Sequence, residues 1–135
     1  RPNIFNHNVE TIKRLYPRVR PEADYDRSLD VLRSAKEFGL TVKSGIMVGL
    51  GETKAEVIET LKDLKDAGCD IVTIGQYLRP KRENLEVVDY IEPEVFKEYE
   101  EEGLKLGLKQ VFAGTFVRSS YNADKVFEDY EKNNI

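Results

Sequence analysis

The sequence is poor in the thiol and imidazole side chains that hold transition metals. It contains one cysteine, Cys69, and one histidine, His7. A single thiol excludes an intramolecular disulfide and fits a reducing, cytosolic-type compartment. One cysteine also cannot hold an iron–sulfur cluster or a structural zinc site by itself. No apolar run approaches the roughly 20 residues of a membrane-spanning helix, so no membrane role is expected. The opening RPNIFNHN lacks a signal-peptide pattern. Positive charge is not in excess: 21 Lys and Arg stand against 25 Asp and Glu, for a net charge of −4. Such a chain is a poor nucleic-acid ligand unless one face is locally basic. What remains is a length of 135 residues, the size of one ordinary domain, with 40% apolar residues, enough for a real core.

A pattern recurs along that length. An amphipathic stretch ends at a glycine, and a short apolar or β-branched run follows. YDRSLDVLRSAKEF precedes Gly39 and LTVKSGIMV; KAEVIETLKDLKDA precedes Gly68 and CDIVTIG; PEVFKEYEEEGLKL precedes Gly107 and LKQVFAG. Each glycine stands where a helix takes a left-handed C-cap. In the second stretch Val57, Leu61 and Leu64 recur at helical spacing, widened by Ile58 and Ala67. Ile71, Val72 and Ile74 read as a strand buried on both faces, as in parallel sheets. Helix then strand, repeated, predicts an α/β fold of parallel βα units with right-handed crossovers, in one domain over residues 1–135. The opening NIFNHN reads as one more strand end, as though the chain starts inside a larger fold. Residues 78–92 read as a long polar loop, the acidic run EYEEEGLK as an exposed helix face, and the tail from Asp124 as a charged helix.

In parallel βα folds, chemistry sits at the carboxyl ends of the strands. The unusual residues of this chain fall there. The first strand exits as NHNVET, with Asn6, His7, Asn8 and Glu10; amides and a carboxylate suit recognition of a ribose diol or an amine, and equally suit a polar turn. A lone histidine is more often a hydrogen-bonded structural residue than a ligand or base. The second exits as GLGET. Gly49 and Gly51 let a backbone approach a ligand closely, and Thr53 with Glu56 matches a capping box. The phosphate-loop Lys-Ser/Thr is lacking there. The third exits as GQYLRPKREN, where Gln76 and Tyr77 suit a planar heterocycle, or where the tyrosine packs its ring and sends its hydroxyl to water. Lys81 and Arg82 read as solvated. The fourth exits as GTFVRSSY, with Arg118, Ser119, Ser120 and Tyr121, an odd set of side chains with which to leave a core. Polar clusters at every strand exit, with apolar strands between, point to a ligand-binding mouth.

Taken together, NHNVETIKRLYPRVRP, ADY, KSGIMVGLGET, TIGQYLRP and VRSSY closely resemble the lipoyl synthases, enzymes of the radical S-adenosylmethionine superfamily. The resemblance runs from Asn6 to about Asp124. It implies a partial, six-stranded (β/α) barrel of the TIM type, of which this chain is the carboxyl-terminal half. It implies sulfur insertion at two unactivated carbons of a protein-bound octanoyl chain. One 4Fe–4S cluster cleaves S-adenosylmethionine to a radical that abstracts hydrogen, and a second 4Fe–4S cluster gives up sulfide. The implied partners are an octanoylated lipoyl carrier domain or glycine-cleavage H protein, and the missing amino-terminal half of the barrel; the implied location is cytoplasmic. Carried over residue by residue, Ser120 ligates an iron of the second cluster, with Ser119 as the fallback. An alkoxide is harder than a thiolate and hence a displaceable partner for such a cluster. Arg118 steadies that oxygen or a substrate carbonyl. Read from the residues alone, the serines equally serve as a helix cap. Asn8 and Glu10 are implied for the ribose or amino-acid part of S-adenosylmethionine. Gly49, Gly51 and Glu52 fall on the strand lining the adenine, Gln76 and Tyr77 flank the same pocket, and Lys43 is a candidate for a carboxylate.

The chain departs from the family pattern. Asn122 stands where histidine is common, and both cysteine triads are absent, with Cys69 matching neither. These residues are therefore expected to hold neither cluster and to be inactive alone. The competing expectation is a non-catalytic α/β module that keeps the mouth and binds a nucleotide or a protein. A different radical enzyme, such as a biotin synthase, fits the RSSY run less well.

Overall fold

The structure, a computed structural model, describes residues 3–116 of the chain. Four strands, β1 (Ile4–Asn6), β2 (Thr41–Val48), β3 (Ile71–Gln76) and β4 (Gln110–Gly114), form one sheet in sequence order, every pair parallel. Four helices lie between them: α1 (Tyr16–Val19), α2 (Tyr25–Glu37), α3 (Lys54–Asp66) and α4 (Pro93–Leu106). This is the expected succession of βα units, and it is the arrangement of part of a (β/α) barrel.

The helices form where the pattern placed them. Asp24 caps α2 by accepting the Arg27 amide at 3.1 Å, and Thr53 and Glu56 close the expected capping box on α3. Gly39, Gly68 and Gly107 are all left-handed; at Gly107, φ of 109° lets its amide bond back to the end of α4 while the chain turns into β4. One element is missing from the sequence reading: a 3₁₀ turn, Lys13–Leu15, runs into α1. At four residues, with a proline near its start, α1 is too short to show a helical period.

Alternation along the strands divides the sheet into two faces. Val42, Ile46, Val48, Val72, Ile74 and Val111 pack with Leu29, Leu32, Val57, Leu61, Leu64, Phe96 and Tyr99 in the main core. Opposite them, Ile71 packs with Ile4 and Phe112, and Thr73 is buried nearby. The all-buried pattern of β3 therefore confirms a central strand covered on both faces.

Asp70 locks the amino-terminal edge of this sheet. It is 6% exposed. Its carboxylate accepts the Lys36 ammonium at 2.7 Å and the Val42 amide at 2.9 Å, with the Lys109 ammonium 3.9 Å away. Its backbone carbonyl accepts the Lys109 and Gln110 amides, and its own amide donates to Val42. One residue thus joins α2, β2, β3 and the start of β4. Asp70→Ala leaves a buried amide and an unpaired lysine, and should lower stability by about 2–3 kcal/mol. Asp70→Asn keeps one acceptor oxygen and should lose less. Urea midpoints of the two variants against the parent test this order.

Candidate functional site

The carboxyl ends of the strands gather Asn8, Glu10, Gly49, Gly51, Glu52, Gln76 and Tyr77 on one edge of the sheet. Arg118, Ser119, Ser120, Tyr121 and Asn122 lie outside the described residues, as does the tail from Asp124.

After β1 the chain does not leave the sheet at once. The His7 amide donates to Lys43, and Glu10 forms an isolated parallel bridge with Ile46 through Glu10 N to Gly45 O (3.0 Å) and Met47 N to Glu10 O (2.9 Å). The register advances four residues on one side, Asn6 to Glu10, and three on the other, Lys43 to Ile46, so one residue bulges. Glu10 absorbs the misfit at φ 74°, the one left-handed non-glycine among the described residues. Such backbone concentrates at functional sites. Buried Ser44 accepts the Val9 amide at 3.2 Å, the Tyr16 hydroxyl donates to the Val9 carbonyl, and Arg20 donates to the Asn8 carbonyl at 3.3 Å. The backbone of Asn8–Glu10 is therefore fixed from three directions. The Asn8 carboxamide has no hydrogen-bond partner among the described residues. Two nearby buried atoms, His7 Nε2 and Thr11 Oγ1, also lack one there. Burial lowers the His7 pKa, the Arg20 charge lowers it further, and Glu10 opposes both, so the imidazole is neutral near pH 7.

The Gly49–Glu52 turn is built differently. The Glu52 carboxylate accepts the amides of Gly49 at 2.8 Å and Leu50 at 3.0 Å. Gly49, at φ 95°, lies flat against the Gln76 amide, and a Cβ there would come within 2.5 Å of the Asp89 carbonyl. The close approach read from the sequence is met at Gly49 by the protein itself. Gly51, at φ 109°, faces open space.

The third exit holds its loop. Gln76 is 7% exposed; its Nε2 donates to Tyr77 O at 3.0 Å and Asp89 O at 2.9 Å, and its Oε1 accepts the Ile91 amide at 2.8 Å. Tyr77 packs its ring with Ile12, Leu15 and Leu50 and donates its hydroxyl to Leu85 O at 2.7 Å. The polar groups of both side chains are thus engaged in securing the 78–92 loop. Lys43 is half-buried on the face of β2 away from the helices, in register between Asn6 and Ile71. Arg14, Arg20, Ser44 and Thr11 were missed by the sequence reading. Arg14 pairs with Glu56 across 42 residues, a separation at which no local pattern reports.

Metal-ligating capacity is small. Cys69 is 3% exposed at the opposite edge of the sheet, where its thiol hydrogen-bonds the Ile71 carbonyl at 3.2 Å. Burial, then the adjacent Asp70 charge, pushes its pKa up to about 12, so it is an inert thiol. No group of three or more His, Cys, Asp or Glu able to hold a metal ion occurs among the described residues. No described helix is long and apolar enough to cross a membrane.

Comparison with known proteins agrees with the resemblance read from the sequence. The sequence model of the Radical SAM superfamily matches residues 1–64. The lipoyl synthase of Caldanaerobacter subterraneus subsp. tengcongensis is 60% identical over 126 residues, which is 92% of this chain and 44% of that protein. That of Protochlamydia amoebophila is 56% identical over 130 residues, 93% of this chain and 40% of that protein. That of Rubrobacter xylanophilus is 53% identical over 131 residues, 96% of this chain and 41% of that protein. The chain thus spans less than half the length of the curated relatives it matches.

The turn supports two expectations. Gly49→Ala combines a collision with a strained φ and should cost about 2–4 kcal/mol, whereas Gly51→Ala, strained but unobstructed, should cost about 1 kcal/mol; denaturant midpoints separate them. The Arg14 hydrogen bonds, then the Thr53 amide, hold the Glu56 carboxyl down from 4.5 to about 2. Its contribution to stability is therefore present above about pH 4.5 and lost as pH falls toward 2. An NMR titration of Glu56 should show the low midpoint, and Arg14→Ala should return it toward the ordinary carboxylate range.

Proposed function

We propose, from the premise that this chain belongs to the lipoyl synthase family of the radical S-adenosylmethionine superfamily, that it supplies one wall of a catalyst inserting two sulfur atoms into a protein-bound octanoyl chain. The observation that carries this reading is 60% identity over 92% of the chain to a curated lipoyl synthase, reinforced by a mouth whose backbone is fixed while the Asn8 carboxamide has no partner among the described residues.

The radical chemistry belongs to the bound groups: a reducing 4Fe–4S cluster with S-adenosylmethionine, and a second 4Fe–4S cluster as sulfur source. The chain's share is to bind and orient. Asn8 and Glu10 meet the ribose or amino-acid part of S-adenosylmethionine. The Gly49–Glu52 turn lines its adenine, with Gly51 on the open side. Gln76 and Tyr77 flank that pocket by holding its wall. The orphaned atoms of His7 and Thr11 beside this segment support a polar ligand.

The clusters do not fit these residues. The one thiol is buried away from the mouth and is inert. Cluster thiolates therefore come from polypeptide outside these residues, the other half of the barrel, and the 135-residue chain alone is inactive. Ser120, assisted by Arg118, is the oxygen ligand this chain offers the second cluster. The substrate partner is an octanoylated lipoyl carrier domain or the glycine-cleavage H protein, in a reducing, cytoplasmic compartment.

The test uses the complete polypeptide, reconstituted anaerobically with iron and sulfide and given S-adenosylmethionine and an octanoylated carrier. The carrier should gain the mass of two sulfur atoms; a parent that cleaves S-adenosylmethionine without that gain overturns the proposal. In Ser120→Ala, formation of 5′-deoxyadenosine should stay within about twofold of the parent while lipoyl product falls by about tenfold or more, as when a metal ligand's support is lost. Lipoyl product at the parental rate would remove Ser120 from the metal.

A further inference from the structure

We infer that Arg14 is a positioning residue for the nucleoside pocket, acting through Gly51. This rests on the reading above that the Gly49–Glu52 turn lines the adenine.

Arg14 follows Glu10 by four residues, in the 3₁₀ turn Lys13–Leu15, and lies in the segment that Asn8 and Glu10 open. Its guanidinium donates from Nε to Glu56 Oε2 at 2.7 Å and from Nη2 to Glu56 Oε1 at 3.0 Å, a bidentate pair. Nη2 also donates to the Gly51 carbonyl at 3.0 Å. Glu56 is itself tied to the turn, because its Oε1 accepts the Thr53 amide at 2.9 Å and its own amide donates to Thr53 Oγ1 at 3.1 Å. One guanidinium thus joins the first strand exit to the second.

The pair is too exposed to serve mainly for stability: the side chains are 55% and 26% accessible, and such pairs contribute about 0–1 kcal/mol. Its value lies in where it acts. Along the turn, Gly49 is wedged against Gln76 and Asp89, and the amides of Gly49 and Leu50 are held by Glu52. At Gly51 nothing lies within 4 Å of where a Cβ would stand, so no side chain wedges the turn there. The Arg14 fork holds that carbonyl. A planar fork can grip a carboxylate with two parallel bonds and a carbonyl beside it, a fixed geometry that a lysine's point charge does not supply.

The experiment uses the complete, cluster-loaded polypeptide and four variants: Arg14→Ala, Arg14→Lys, Glu56→Gln, and Arg14→Ala with Glu56→Gln. S-adenosylmethionine affinity is read by equilibrium dialysis, and hydrogen exchange is read over residues 49–53. Arg14→Ala should bind about tenfold more weakly, in the range seen when a supporting residue is lost, with faster exchange across the turn and a melting temperature close to the parent's. Arg14→Lys, which keeps one donor for Gly51, should fall between. Glu56→Gln keeps the helix cap and should weaken binding less. The double variant should bind no more weakly than Arg14→Ala, because both changes cut one link. Parental affinity in Arg14→Ala, or penalties that add in the double variant, overturns the inference alone. A parent that binds no S-adenosylmethionine overturns the assignment of the pocket as well, so the two failures are distinguishable.

Discussion

The buried carboxylate of Asp70 sets the frame for the mouth at the other edge of the sheet. It receives an amide from β2 and an ammonium from α2, while its own carbonyl receives two amides leading into β4. That convergence fixes Ile71 opposite Lys43 and Gln110. A slip of one residue would turn every side chain of a strand to the wrong face. Gln76 would then no longer reach Asp89 and Ile91, and Gly49 would no longer lie against Gln76. The amino-terminal edge therefore carries stability, and the carboxyl-terminal edge inherits its geometry.

At that second edge, polar side chains divide by partner. Glu52, Gln76 and Tyr77 direct their polar atoms at backbone amides and carbonyls of their own loops. They make irregular backbone rigid, and buried backbone needs such partners. At Asn8 and Glu10 it is the backbone that is held. Their backbone is pinned by Arg20, Ser44 and β2, at the cost of a left-handed glutamate. A backbone fixed in this way suits a binding site, since ordering then precedes the ligand. Arg14, in the segment after Glu10, donates to Glu56 and to the Gly51 carbonyl and so ties that segment to the Gly49–Glu52 turn.

The elements whose cause is local were readable in the sequence. The capping box at Thr53, the helical stripe of Val57, Leu61 and Leu64, and the glycine caps all depend on residues within one or two turns of each other. The unbroken burial of β3 follows from its apolar run. The positions of the strand exits were legible too, because parallel topology puts them on one edge. What each polar side chain does there was not. Gln76 bonds thirteen and fifteen residues ahead, and Arg14 bonds across forty-two. The sequence does not decide between ligand and packing for Tyr77, whose hydroxyl goes to Leu85 O within the folded loop. Such pairings arise only once the sheet has brought distant segments together.

The acidic run on α4 shows the same limit, and it bears on the last strand. EYEEEGLK reads as a solvated helix face, and Glu101 and Leu104 are exposed accordingly. Glu100 is different: half-buried, it accepts the Ala113 amide at 2.9 Å. Beyond β3, β4 has no further strand among the described residues, so an outward amide of β4 needs another acceptor. A helix carboxylate meets that need. Placed near the end of β4, it holds the backbone of that strand at Ala113. A carboxylate that looks like surface charge in the sequence is therefore part of what secures the edge of the last described strand.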